Sequence, residues 1–264
     1  MLSFDSVYVW RVRLDDPPSY SSFQMALWRR MLSVEELTRA ERFRSEEHRS
    51  DYIRAHAALR AVLGNCLGIS PASVRFVSDS IDGNVAHGNG SASTKPALMM
   101  TSNQPNHPDV RFNLSHTKGA ALIGVAVGLE LGIDIEWHRP MDDLDALAQT
   151  VMSDTEIRQW LALKQEDRTR AFYHLWTRKE AYLKAIGLGL YRSLQEVTVP
   201  VSADCLEDVS GLVHLVRDDS GQGKWGVRDI PVPEGYSASL CCEGEQIRRM
   251  VVQELDLDRL TQGD

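Results

Sequence analysis

The chain has 264 residues, 43% of them apolar and 25% charged, with a formal charge of −8 from 37 acids against 29 bases. This excludes collagen-like, low-complexity and wholly disordered chains, and the length gives one or two domains with a substantial core. A net acidic chain does not favour non-specific nucleic-acid binding, so an anionic ligand must find a local basic patch and no nucleic-acid partner is expected. Asp5 and Arg11 interrupt what a signal peptide would need as an apolar run. The longest apolar stretch, 120–129, falls far short of the ~20 residues that span a bilayer, so no membrane association is expected. Cys66, Cys205, Cys241 and Cys242 form no C-x-x-C pair and match no zinc framework. They read as small apolar residues in a reducing compartment, which predicts a cytoplasmic protein.

Residues 7–14 alternate and are β-rich, predicting a strand. Ser33-Val34-Glu35-Glu36 is a capping box that opens a helix. A second helix is expected over about 49–67, where Ile53, Ala57, Leu63 and Leu67 recur at helical spacing. A short strand at 74–78 precedes two loops, 79–96 and 101–109, rich in Gly, Ser, Asn and Pro. Residues 110–114 and 120–129 read as strands joined at a turn containing Gly119. The order then repeats: a strand at 131–137, a second capping box at Ser153-Asp154-Thr155-Glu156, and a long helix over about 168–186. Phe172, Leu175, Trp176, Leu183 and Ile186 share one face of that helix. Short strands are expected at about 196–201, 212–216, 224–229 and 236–242, and the tail, 246–257, as an amphipathic helix. The repeated order predicts an α+β fold of two similar lobes related by a pseudo-twofold, each a small antiparallel sheet packed with a long helix. The lobes are expected at 1–129 and 130–264, with the ligand in the cleft between them.

Three segments carry chemistry. In Gly132-Ile133-Asp134-Ile135-Glu136 the two acids lie two apart on a strand, so both carboxylates aim at one spot. Their repulsion calls for a cation, and a hard divalent ion such as Mg²⁺ is the economical choice; a solvated strand end is the other reading of an isolated D-x-E. In Trp176-Thr177-Arg178-Lys179-Glu180, followed by Lys184, the acid and the last lysine are i, i+4 on one helix face. They read as a surface ion pair or, beside the apolar stripe, with the acid as a third metal carboxylate in a site that leaves positions free for phosphate oxygens and water. In Phe112-Asn113-Leu114-Ser115-His116-Thr117, adjacent residues point opposite ways, which disfavours a Ser-His nucleophile pair. A hydroxyl and an imidazole that contact phosphate fit better. Arg39, Arg42, Arg44, Arg49, Arg54 and Arg60, with His48 and His56, concentrate positive charge in the first half and are a candidate polyphosphate patch, with Lys95 adding one cation at a loop end.

These three segments resemble the signatures of the 4′-phosphopantetheinyl transferases, most closely the larger, surfactin-synthetase-type branch. The Glu-x-x-Arg-x-x-Arg-Phe pattern ending at Arg42-Phe43 is similar to that branch as well. The resemblance implies a pseudo-twofold monomer with coenzyme A in the inter-lobe cleft. It implies Asp134, Glu136 and Glu180 as Mg²⁺ ligands, with Lys184, Ser115 and His116 contacting phosphate. Arg39 stands where the family has a cation for the 3′-phosphate, and Lys95 where it has the Lys of Gly-Lys-Pro. Thr94 replaces the glycine before that Lys, and Glu36 falls where some relatives carry a second 3′-phosphate cation, with Arg54 or Arg49 as candidates to compensate.

The implied reaction moves the phosphopantetheine arm to a serine of an apo acyl- or peptidyl-carrier protein and releases 3′,5′-ADP. Lys184 and His116 serve the phosphates, and Glu180 or a metal-bound water is the candidate base. Such an enzyme would serve natural-product or fatty-acid synthesis. A Mg²⁺-dependent phosphohydrolase, or a non-catalytic module that binds coenzyme A or a carrier protein, would use the same residues differently.

Overall fold

The computed structural model describes residues 6–14, 22–77, 95–99, 109–187, 193–204, 214–218, 225–244 and 249–257. The elements run β1 (Ser6–Arg13), α1 (Ser22–Met31), α2 (Val34–Ala40), α3 (Glu46–Leu67), β2 (Val110–Thr117) and β3 (Ala120–Val127). They continue through β4 (Leu131–Trp137), α4 (Leu144–Val151), α5 (Asp154–Leu161), α6 (Gln165–Ile186), β5 (Val197–Thr198), β6 (His214–Leu215), β7 (Arg217–Asp218), β8 (Trp225–Asp229) and β9 (Tyr236–Glu243). A last strand, β10 (Arg249–Leu255), returns to the first.

Two four-stranded sheets result, ordered β10-β1-β3-β2 and β4-β9-β8-β6, with β5 and β7 forming a separate pair. The fold is α+β, as expected, and the pairings are antiparallel except one: β1 and β10 run parallel. The expected tail helix is therefore a strand. Met250 and Val252, two apart, reach the core between the sheets, a period-two pattern that β1's open edge selects over the helical one. The expected strand at 74–78 reduces to a single bridge, Phe76 to Leu98, and that at 196–201 to Val197–Thr198. Helices α1 and α4 lie where no helix was expected; both are short, and α1 anchors itself through one fully buried side chain, Trp28. Residues 78–94, 100–108 and 188–192, with Cys205, lie outside the described residues.

Three cores hold these layers. One lies between the first sheet and α1 and α3, around Ile53, Leu59, Leu63 and Phe112. Another gathers Trp160, Phe172, Leu175 and Tyr182 between α5, α6 and the second sheet. The third, between the sheets, interleaves Val7, Val9, Leu122 and Ala126 with Ile133, Ile135 and Leu240. The two sheets thus share a core across the lobes.

The repeat reaches the level of single side chains. Ser33 and Ser153 both close capping boxes, with Glu36 and Glu156 returning to the cap N–H groups. Each glutamate is buried and also binds a cation from the long helix of its own lobe: Arg60 Nε at 2.7 Å for Glu36, Lys179 Nζ at 2.6 Å for Glu156. Both long helices have 22 residues and end on a left-handed glycine, Gly68 and Gly187. Removing one partner of such a pair strands the other charge in the core, at a cost of about 3–5 kcal/mol. Among the described residues, no helix is long and apolar enough to cross a membrane.

Gly132 fixes how deeply α6 sits. A Cβ there would collide with the backbone of Ala181 and Ala185 and lie 2.9 Å from the Lys184 carbonyl carbon. Gly132→Ala is therefore expected to push α6 off β4 and cost about 3 kcal/mol in urea unfolding. A midpoint unchanged from the parent would contradict this close contact.

Candidate active site

The edge strands of the two sheets, β2 and β4, meet without pairing backbone to backbone. Asn113 Oδ1 accepts the Ile133 N–H at 2.9 Å, Ser115 Oγ the Ile135 N–H at 3.3 Å, and Thr117 Oγ1 the Trp137 N–H at 3.3 Å. The three donors and acceptors all stand 20 residues apart, so the period-two geometry of both strands keeps them in step. These bonds satisfy N–H groups that an edge strand would otherwise leave unpaired.

On this seam sits a charged cluster. Ser115 Oγ donates to Asp134 Oδ1 at 2.9 Å, and Lys184 Nζ reaches down from α6 to Ser115 Oγ at 2.9 Å and Asp134 Oδ1 at 2.7 Å. Lys184, i+4 from Glu180, thus turns toward β4, and its ion-pair partner is Asp134 on that strand. Ser115 has one donor and two lone pairs, all engaged, by Asp134, Lys184 and the Ile135 N–H.

Asp134, Glu136 and Glu180 converge here. Burial, then the Asp134 charge, raises the Glu136 carboxyl above its ordinary range. Burial, then the same charge with Glu136 adding to it, pushes Glu180 up to about 7 despite Lys184. Among the described residues, Asp134 Oδ2 and Glu180 Oε1 are buried without a hydrogen-bond partner. Repelling carboxylates with unpartnered buried oxygens are the donor set a hard divalent cation completes. Among the described residues, no three His, Cys, Asp or Glu side chains are grouped closely enough to hold a metal ion by themselves.

His116 turns the opposite way from Ser115 and opens onto solvent. Protein crowded around its ring, with the His56 and Lys184 charges, pushes the imidazole down to about 4, so at neutral pH it offers a neutral N–H and a lone pair rather than a charge.

Part of the basic patch expected in the first half is structural, while Arg42, Arg44 and His48 stay exposed. Arg54 is buried, bonded to the Leu14 and Arg13 carbonyls, and Arg60 spans Glu36 and the Pro71 and Val74 carbonyls. Arg49, part-exposed, binds Glu46 and the Phe43 carbonyl, whereas Arg54 is taken up by its two carbonyls. Glu36 is itself buried against His56 and Arg60, which removes it from any phosphate contact. Arg39 lies half-buried on the last turn of α2. Lys95 pairs with Glu130, just before β4, and burial lowers its ammonium despite that partner. It lines a cavity of about 520 Å³ with Pro96, Arg111, Ile186 and Trp225, at the Val110 end of β2. The structure therefore gathers Asp134, Glu136, Glu180, Lys184, Ser115 and His116, and sets Lys95 apart with Glu130.

Sequence reasoning missed Asn113 and Thr117, although their alternation with Ser115 was visible as a polar period-two stripe on a strand. It also missed Asp229, which holds both arms of Arg178 at 2.9 and 2.5 Å and accepts Ser239 Oγ at 3.1 Å. Arg178 and Lys179, the two cations inside the Trp176–Glu180 motif, are both fully buried and lock α6 in rotation, with Lys184 turned to Asp134.

Because folding raises the Glu180 carboxyl from 4.5 to about 7, the folded chain binds this proton more tightly than the unfolded one. Its stabilising contribution is complete below about pH 4.5 and is lost as pH rises through about 7. In metal-free protein, Glu180→Gln should therefore gain stability relative to the parent between pH 5 and 8, read from urea midpoints. A constant difference over that range would contradict the assignment.

Residues 130–241 match the family described as the 4′-phosphopantetheinyl transferase superfamily, a span containing both carboxylate motifs and Lys184. Across most of its length the chain is similar to the 4′-phosphopantetheinyl transferase HetI of Nostoc sp., at 34% identity over 221 residues, 82% of this chain and 85% of that one. It is 31% identical over 215 residues to the 4′-phosphopantetheinyl transferase Sfp of Bacillus subtilis, covering 80% of this chain and 88% of the relative. With relatives 34% and 31% identical over at least four fifths of both chains, the chain belongs to the 4′-phosphopantetheinyl transferase superfamily.

Proposed function

We propose that this transferase binds coenzyme A across the β2–β4 seam and passes its phosphopantetheine arm to a serine of an apo acyl- or peptidyl-carrier protein, releasing 3′,5′-ADP. The observation that carries the site is the convergence of Asp134, Glu136 and Glu180 on Lys184, with two buried carboxylate oxygens unpartnered. Those three carboxylates would hold Mg²⁺, which when bound neutralises the pyrophosphate and relieves their repulsion.

The rest follows from the chain's own groups. Lys184, about 30% exposed, directs its ammonium at the cleft and meets the negative charge that grows on the leaving pyrophosphate oxygen. Ser115 holds that ammonium and Asp134 in place. His116 donates a neutral N–H to a phosphate oxygen. Glu180 exchanges its proton near neutral pH, which suits it to take the proton of the attacking serine hydroxyl. The hydroxyl oxygen bonds to the β-phosphorus as the bond to 3′,5′-ADP breaks. Arg39 and Lys95 are proposed for the phosphates of the nucleotide end, Lys95 by exchanging Glu130 for phosphate. We retain the division into lobes at 129/130, with β10 returned to the first sheet, and a cytoplasmic monomer as the working form.

The test is the intact mass of an apo carrier protein incubated with this protein, coenzyme A and Mg²⁺. A gain of one phosphopantetheine arm is expected, abolished by EDTA and by Asp134→Ala at unchanged circular dichroism. Coenzyme A consumed without a mass gain, or full activity in Asp134→Ala, would overturn the reading.

A further inference from the structure

We infer that Asn113 and Thr117 are positioning residues for phosphopantetheinyl transfer, setting the gap between β2 and β4 in which the reacting groups converge. The inference rests on the transferase reading of the cleft.

Two edge strands that paired through their backbones would lie about 4.8 Å apart and fuse the sheets. Here side chains stand between them. Asn113, Ser115 and Thr117 each place an acceptor where a partner strand would offer a carbonyl, and each meets an outward N–H of β4. A side chain interposed at every second residue holds β4 farther away than a carbonyl would. On this seam Ser115, Asp134 and Lys184 bond to one another. The middle rung is part of the charged cluster, so the outer two alone can set the spacing independently of it. Asn113 is buried, and its rung precedes Asp134 on β4. Thr117 is half-buried, follows His116 on β2, and its rung holds the residue after Glu136.

The groups on the two sides serve different parts of one ligand: His116 comes from β2, the carboxylates from β4 and α6. A shift between the strands therefore changes their separation without removing any of them. Misplacement of this kind weakens recognition of the ligand that bridges both sides, and leaves a partner that docks outside the seam unaffected.

Thr117 offers a clean pair of variants. Thr117→Val keeps the shape and deletes the acceptor, while Thr117→Ser keeps the acceptor and deletes the methyl. Coenzyme A binding is measured by calorimetry with Mg²⁺, alongside KM for each substrate, melting temperature and amide exchange at Trp137. Thr117→Val is expected to weaken coenzyme A binding about tenfold and to expose the Trp137 amide to exchange, with KM for the carrier unchanged. Thr117→Ser should stay within about twofold of the parent. Thr117→Ala, which also lacks the acceptor, repeats the measurement should the valine variant fold poorly. Parental coenzyme A binding in Thr117→Val and Thr117→Ala, or equal impairment in Thr117→Ser, would overturn the positioning role. A parent chain that binds coenzyme A but loads no carrier would refute the transferase reading alone, because the binding comparison still decides the role of Thr117. A parent that does not bind coenzyme A overturns both.

Discussion

An edge strand in a protein interior must find partners for the N–H groups that point away from its sheet, and β4 finds them in side chains. Everything at the candidate site depends on that solution. β4 carries Asp134 and Glu136, closes the core between the sheets through Ile133 and Ile135, and supports α6 at Gly132. Its alternate N–H groups reach Asn113, Ser115 and Thr117 on β2, so the lobe that contributes His116 and the lobe that contributes the carboxylates are joined at the strand that bears the acids. A continuous sheet would have satisfied the same N–H groups and left no cleft.

The second constraint is electrostatic. Three carboxylates share a partly buried region with one ammonium, and the cluster responds by raising Glu136 and Glu180. Such an arrangement costs stability by itself. It persists because the surroundings over-determine it: Arg178 on Asp229 and Lys179 on Glu156 fix the rotation of α6, and the missing Cβ of Gly132 fixes its depth. The duplication sharpens the point. Arg60 and Lys179 stand at the same turn of two helices of equal length and make the same bond to a capping-box glutamate. Ala61 and Asn65 stand where α6 has Glu180 and Lys184, so one lobe kept the scaffold and the other also carries the charges.

Much of this was legible in the sequence, because it was written in local signals. Both capping boxes, the long helices, the Gly132–Glu136 strand and the β2–β3 pair follow from periodicity and turn chemistry; spacing made the residues of the charged cluster candidates, and the resemblance joined them into one site. What escaped was decided by distant partners. Arg249–Leu255 carries an ambiguous apolar pattern, and only the open edge of β1 makes it a strand. Arg54, Arg60 and Glu36 look like surface charges until the fold buries them against carbonyls and each other. Asn113 and Thr117 are polar residues on a strand, and nothing nearby in sequence says that β4 will lie alongside them. Asp229 is a lone acid until α6 brings Arg178 to it.

Asp134, Glu136 and Glu180 are proposed to take up a divalent cation together with coenzyme A. Calorimetric titration of the metal-free protein with Mg²⁺, with and without coenzyme A, addresses this directly. Weak binding of Mg²⁺ alone and much tighter binding once coenzyme A is present, both lost in Asp134→Ala, is the predicted result. Coenzyme A bound equally well in EDTA, with no coupling to Mg²⁺, would contradict it.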